Sequence, residues 1–297
     1  MRLQDGLLAA LVVVIWGVNF VVIHVGLQDV PPLLLGALRF TLVALPALFL
    51  VPRPAIPVRW LMAYGLTIGF GQFALLFSAM HLGMPAGLAS LVLQSQMIFT
   101  LGFAALFCGE RWQRHQPVAL AIAAVGLMVL AFCQQAGGMT LTGFLLTLGA
   151  AASWGAGNVV TRGLGRFGRV DLTGLVVWSA LVPPLPFLLL SLWLDGRDRV
   201  WQTLTHLGWQ SAGAIFYLAA MATLVGYVLW GKLLQRYPVA VVAPLTLFVP
   251  LVGLLAAALL LDERLAAGQW LGVGLVLSGL LLNLFWPRLR QYGRDHG

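Results

Sequence analysis

The chain has 297 residues, 61% of them hydrophobic and only 9% charged, with a formal net charge of +8. A soluble domain carries about 25% charged residues, so a soluble globular fold is excluded. The basic excess has no soluble surface to occupy, which argues against nucleic acid as a partner and for charges placed in short loops of a membrane protein.

A hydrocarbon core of ~30 Å takes ~20 apolar residues per helix, and the chain offers ten such stretches. They are expected at 6–26, 33–51, 60–80, 85–107, 116–133, 141–162, 171–194, 209–231, 238–261 and 268–287. The first resembles a secretory leader, but no small-residue cleavage site follows, so it reads as a retained span. Pro183, Pro184 and Pro186 in the seventh stretch and Pro244 and Pro250 in the ninth free backbone carbonyls at membrane depth. Such breaks are tolerated only against protein or a watery cavity. Cys108 and Cys133 lie near opposite membrane faces and read as packing residues, neither disulfide nor metal site.

With the N-terminus inside, 13 of the 17 Lys and Arg fall in cytoplasmic segments: Arg2, Arg53, Arg59, Arg111, Arg114, Arg162, Arg166, Arg169, Lys232, Arg236, Arg288, Arg290 and Arg294. Arg197, Arg199 and Arg264 fall outside, and Arg39 lies within a span. This short-loop bias places both termini in the cytoplasm.

The stretches repeat. A shift of 153 residues lays Tyr64 on Tyr217, Pro85 on Pro238, Gly126 on Gly279, and Gly109-Glu110-Arg111 on Asp262-Glu263-Arg264. A shift of 138 lays Trp16-Gly17 on Trp154-Gly155. Because five is odd, the second copy is expected upside down. The fold expected is therefore all-α and membrane-integral, ten helices in two inverted five-helix repeats, 1–135 and 136–297.

The strings Val14-Ile15-Trp16-Gly17-Val18-Asn19-Phe20, Ala37-Leu38-Arg39-Phe40, Gly83 through Gln94 and Leu261-Asp262-Glu263-Arg264-Leu265 resemble the drug/metabolite transporter superfamily, in its EamA branch. The similarity runs from about residue 5 to 287. It implies a multi-pass protein of a bacterial inner membrane that exports small amino-acid metabolites, O-acetylserine and cysteine among them. Asparagine and glutamine are further candidates. Carriers of this architecture that move drugs, nucleotide sugars or aromatic amino acids are the alternative.

A zwitterionic substrate needs a cation or donors for its carboxylate and acceptors or aromatic faces for its ammonium. Arg39 is the one cation deep inside a span; it reads either as a carboxylate ligand or as a structural group capping carbonyls or pairing with Asp29, Asp262 or Glu263. Trp16 and Asn19 share one helix face, as do Trp154, Asn158 and Thr161, and the two Trp/Asn pairs are expected to meet in a central cavity; the alternative is that each Asn bonds a neighbouring helix while its Trp fills a packing gap. Gln72 and Gln94 are further candidate donors, with Gln96 on the opposite side of its helix from Gln94. Tyr227, with Thr223 and Trp230, and Trp178 are candidate aromatic walls. Glu110-Arg111 and Glu263-Arg264 end equivalent helices at opposite mouths, either as boundary charges or as gates that pair across a closed entrance.

All nine acidic residues are expected at helix ends or in loops, which favours gradient-driven export or exchange without a buried carboxylate relay. No Walker-type loop supports ATP drive. Scattered His and no HExxH argue against an enzyme, a metal or a cofactor. Partners are a small zwitterion and the bilayer; homodimerisation stays open.

Overall fold

The structure, a computed structural model, describes residues 1–133, 138–168 and 170–295, and the side chains of these outside 46–47, 239–240, 243 and 287–295. The expected repeat boundary at 135/136 and the expected cytoplasmic Arg169 lie outside the described residues. Every regular element among the described residues is helical. We label α1 Leu3–Gly26, α2 Pro32–Leu48, α3 Val58–His81, α4 Ala86–Cys108, α5 Gln116–Phe132, α6 Leu141–Phe167, α7 Leu172–Leu194, α8 Trp209–Arg236, α9 239–260 and α10 Ala267–Asp295.

Seven of these are long and apolar enough to cross a bilayer, whereas the apolar parts of α2 (Pro32–Leu45), α5 (Gln116–Phe132) and α9 (Pro244–Leu260) are shorter. The second stretch, expected to reach 51, stops at Leu48, because Pro52 and Pro54 leave no amide to continue it. The loop expected at 195–208 contains a short helix, Arg197–Thr205, that follows Gly196 at φ 83 and is too polar to enter lipid. Exposed apolar side chains such as Leu3, Leu7 and Leu11 run along one face of α1, as lipid contact requires. Trp193, Trp201, Trp209 and Trp270 stand exposed at one end of the bundle, an aromatic belt at an interface. The chain is a multi-pass membrane protein.

Helix starts are set by local chemistry. Thr140 caps α6 by accepting from Gly143 N at 3.0 Å, and Asp171 caps α7 by accepting from Gly174 N at 2.7 Å. Two helices end the same way. Gly109 (φ 67) turns α4, and Glu110 N donates to Ala104 O at 3.3 Å; Asp262 (φ 54) turns α9, and Glu263 N donates to Ala257 O at 3.3 Å. The helices are also broken inside. α3 carries a π-helical segment, Gly65–Gly71, and α8 carries another, Tyr217–Val225. Single 3₁₀ turns interrupt α4 at Leu93–Ser95 and α9 at Ala243–Leu247.

Close helix approaches are made at glycines. α5 and α10 run antiparallel: Cys133 lies against Gly268, Leu130 against Gly272, Gly126 against Val276 and Ala123 against Gly279. A Cβ on Gly126 would stand 2.7 Å from Val276 N, and one on Gly279 2.7 Å from Ala123 N. Gly17 of α1 presses on Val252 and Gly253 of α9, as Gly155 of α6 presses on Phe99 and Thr100 of α4. The segments Ala86–Val92 and Phe248–Leu260 pack on each other. The remainder of α4, Gln96–Cys108, packs on α6 and makes little contact with 239–247.

Candidate functional site

Arg39 sits midway along α2 and is 3% exposed. Its Nη2 donates to Thr223 Oγ1 of α8 at 3.0 Å, and its guanidinium lies 4.0 Å from the centre of the Phe73 ring. Among the described residues, Nε and Nη1 have no hydrogen-bond partner. A buried cation ordinarily takes a carboxylate, and the alternative of Arg39 pairing with an outer acid is corrected here. Asp29 accepts from Ser211 Oγ and Glu263 from backbone amides, and among the described residues no ion pair joins Arg39 to either of them or to Asp262. What holds the charge is a hydroxyl and an aromatic face.

The guanidinium opens on a cavity of about 30 Å³, lined also by Tyr64, Ser179 and Tyr227. No carboxylate lines it. The two π-helical segments flank it, with Ile68 and Gly69 on one side and Thr223 on the other. Thr223 Oγ1 itself donates to Leu218 O, five residues back, as π geometry allows. π segments collect at functional sites because they offer free backbone groups and an adjustable register. The volume admits a water molecule, not an amino acid.

Trp16 closes the neighbouring layer. Its indole donates to Ala222 O at 3.0 Å, and its rings lie 5.5 Å from Tyr227 and 5.3 Å from Trp230. Trp154 packs against the apolar cluster that holds Tyr64 and Ile68, which also line the cavity, and among the described residues it makes no ring contact with Trp16. The two Trp/Asn pairs therefore do not meet directly. Asn158 instead donates to Gln96 Oε1 at 2.7 Å and Thr100 Oγ1 at 3.0 Å, tying α6 to α4. The reason is the register of α4 on α6, which Gly155 sets against Phe99 and Thr100. Asn19 and Gln72 are buried, each with its side-chain oxygen unpartnered, and neither lines the Arg39 cavity. Gln94 lies half-buried in the 3₁₀ turn of α4. Trp178 donates to Val51 O at 3.0 Å, toward the α2–α3 connection and away from the cavity.

The charged pairs at the mouths form no Glu–Arg bridge within each dipeptide. Glu110 pairs with Arg162 at 2.5 Å, both partly exposed. Glu263 accepts from Ala86 N at 2.7 Å and Gly87 N at 2.9 Å, at the start of α4. Arg111 and Arg264 are exposed beside them, and Arg264 lines a pocket of about 260 Å³ with Glu263 and His24. Asp5, expected at a helix end, is buried there and paired with Arg236 at 2.6 Å and Tyr237 Oη at 2.8 Å. The sequence reading did not single out Tyr64, Phe73 or Ser179; only the matching of Tyr64 to Tyr217 pointed near them.

The chain matches the EamA-like transporter family over residues 6–132 and again over 141–285. It is 50% identical to a probable amino-acid metabolite efflux pump of Salmonella typhimurium, covering the whole of both chains. It is also 50% identical to a protein of the same description in Escherichia coli, over 98% of each. An uncharacterized transporter of Bacillus subtilis is 25% identical over 95% of this chain and 92% of its own. A solved crystal structure 19% identical superposes with a TM-score of 0.64 over 96% of this chain and 97% of its own, a likeness of fold. Two family matches that together span nearly the whole length, and full-length relatives at half identity, settle the assignment: the chain belongs to the EamA-like transporter family.

Proposed function

We propose that this chain exports small amino-acid metabolites, cysteine and O-acetylserine among them, across a bacterial inner membrane by gradient-driven alternating access. Its framework is read as ten helices in two five-helix copies, 1–135 and 136–297, the second inverted, with both termini cytoplasmic. Two separate family matches support the duplication. So does reciprocal packing: Gly126 faces 272 and 276 while its equivalent Gly279 faces 119 and 123, each pair offset by 153 residues. Gly17 on Val252 and Gly155 on Phe99 are reciprocal too, the glycines by the shift of 138 and their partners by the shift of 153. Equivalent helices α5 and α10 run antiparallel, as inversion requires. The description carried by both 50% identical relatives supports the direction and class of cargo.

The carrying observation is Arg39, a nine-tenths-buried cation with two free nitrogens, set in an aromatic cavity between two π-helical breaks. A carboxylate supplies what Arg39 lacks, and Tyr64, Phe73 and Tyr227 offer ring faces to an ammonium or an aromatic side chain. The aromatic lining also favours a second reading, transport of aromatic amino acids. Counterflow in proteoliposomes tests both, with labelled cysteine, O-acetylserine, asparagine, glutamine and phenylalanine, each competed by its amine lacking the carboxylate. Saturable flux of the small metabolites, insensitive to those amines, is expected. Flux of phenylalanine alone selects the second reading, and equal competition by the amines removes Arg39 from the site.

A further inference from the structure

We propose that Glu263 and Glu110 are positioning residues, each a two-position carboxylate that caps a helix when its mouth is closed and moves to a cation when that mouth opens. The inference rests on the alternating-access reading above. The first amides of any helix lack intrahelical partners, and a carboxylate placed on them is favoured by the helix dipole as well. Glu263, at the end of α9, accepts from both Ala86 N and Gly87 N at the start of α4. One side chain thereby staples two helices across one mouth. Beneath the staple, Ala86–Val92 and Phe248–Leu260 are in contact, and Gly253 lies against Ser90.

Glu110 occupies the equivalent position on α4. The left-handed turn before it and the 3.3 Å backbone bond behind it are repeated. Its side chain is placed differently, on Arg162 of α6. The counterpart of the Ala86 amide is the first turn of α9, starting at Val239. At this second mouth Gln96–Cys108 rest on α6, with little contact to 239–247. The capped mouth is thus the tightly packed one, and the uncapped mouth the loosely packed one. The same repeat shift that carries Trp16 to Trp154 carries His24 to Arg162. His24 lines the pocket beside Glu263. Both carboxylates thus have a cap and a nearby nitrogen base or cation at equivalent places. In the opposite state Glu263 leaves α4 for His24, while Glu110 leaves Arg162 for the first turn of α9.

Spin-label distances in nanodiscs test this, in a Cys108→Ser, Cys133→Ser background. Labels at Leu82 and Arg264 report the first mouth; labels at the repeat-equivalent Gln235 and Arg111 report the second. The wild type should give a short first distance and a long second one, interchanging in part when substrate is added. Glu263→Ala should move the population ratio about tenfold toward the interchanged pair. Glu110→Ala should move it the other way, and Glu263→Gln, which keeps one acceptor, should fall between wild type and Glu263→Ala. His24→Arg should act in the same sense as Glu263→Ala. Unchanged ratios, or both alanine variants moving the ratio in one direction, overturn the latch. Distances that interchange in the wild type regardless leave alternating access standing. A wild type and variants that never interchange sink both.

Discussion

Replacing Arg39 by Met separates its two possible roles through a cycle between protein and ligand. The one hydrogen bond Arg39 makes ends on Thr223 Oγ1, and that hydroxyl retains its own acceptor at Leu218 O. The substitution therefore strands no buried donor, keeps similar volume against Phe40 and Phe73, and removes an unpaired buried charge. Replacing such a charge with an apolar side chain is often neutral or stabilising, so thermal stability should hold or rise. A substrate carboxylate on the free Nε and Nη1 would form charge-assisted bonds, each worth about 1.5–3 kcal/mol. Arg39→Met loses both, so it should weaken apparent affinity for a transported amino acid by at least the roughly 10- to 150-fold that one such bond supplies. Arg39→Lys keeps the charge but not the fork, and should fall between. The assay is counterflow by wild type and variant with one amino acid and with its decarboxylated amine. The loss should appear with the acid and be absent with the amine. Equal losses for both, or none, refute a carboxylate at Arg39.

Gly126→Ala should lower stability by about 1–3 kcal/mol, since its new methyl meets backbone atoms of α10 that cannot turn aside. Gly102→Ala, with nothing within 4 Å, is the control, and thermal unfolding in detergent reads the difference. Trp16→Phe keeps the ring contacts with Tyr227 and Trp230 but frees Ala222 O, for a loss of about 1 kcal/mol. An unchanged melting temperature would mean that the indole bond to the π segment contributes nothing.

Helix existence was legible because apolar run length alone decides it, and the boundaries moved mainly where proline or polar residues interfered, as at Pro52 and Arg197. Arg39 was legible for a related reason: a guanidinium within an apolar run stands out by its cost. Its surroundings were not. Tyr64, Ser179 and Thr223 are ordinary residue types, and what assembles them is the crossing of α2, α3, α7 and α8 at two π segments. The first of those segments is glycine-rich, with Gly65, Gly69 and Gly71, but the second, Tyr217–Val225, holds neither glycine nor proline, so no shared signature distinguishes them from regular helix. Glu263 was picked out, but its partners are backbone amides, which carry no letter in the sequence. Asn158 was placed on the right helix face and given the wrong partner, because interhelical register depends on where Gly155 lets two backbones approach.

The Arg39 cavity also constrains how transport can proceed. At about 30 Å³ it is too small for an amino acid, so under the proposed function the described state is one in which the Arg39 site is closed. Burying the Arg39 charge costs several kcal/mol, and an aromatic face offsets about 2 of them. On the proposed reading, opening would part Tyr64 and Tyr227, each of which adjoins a π segment whose register can shift with little loss of hydrogen bonding. A substrate carboxylate would then bind only the opened arrangement, so its affinity would be reduced by the work of opening and would shift the population toward the opened state. An amine without the carboxylate would not recover that work from Arg39, so selection against it would follow from the closure of the pocket as much as from contacts in the open one.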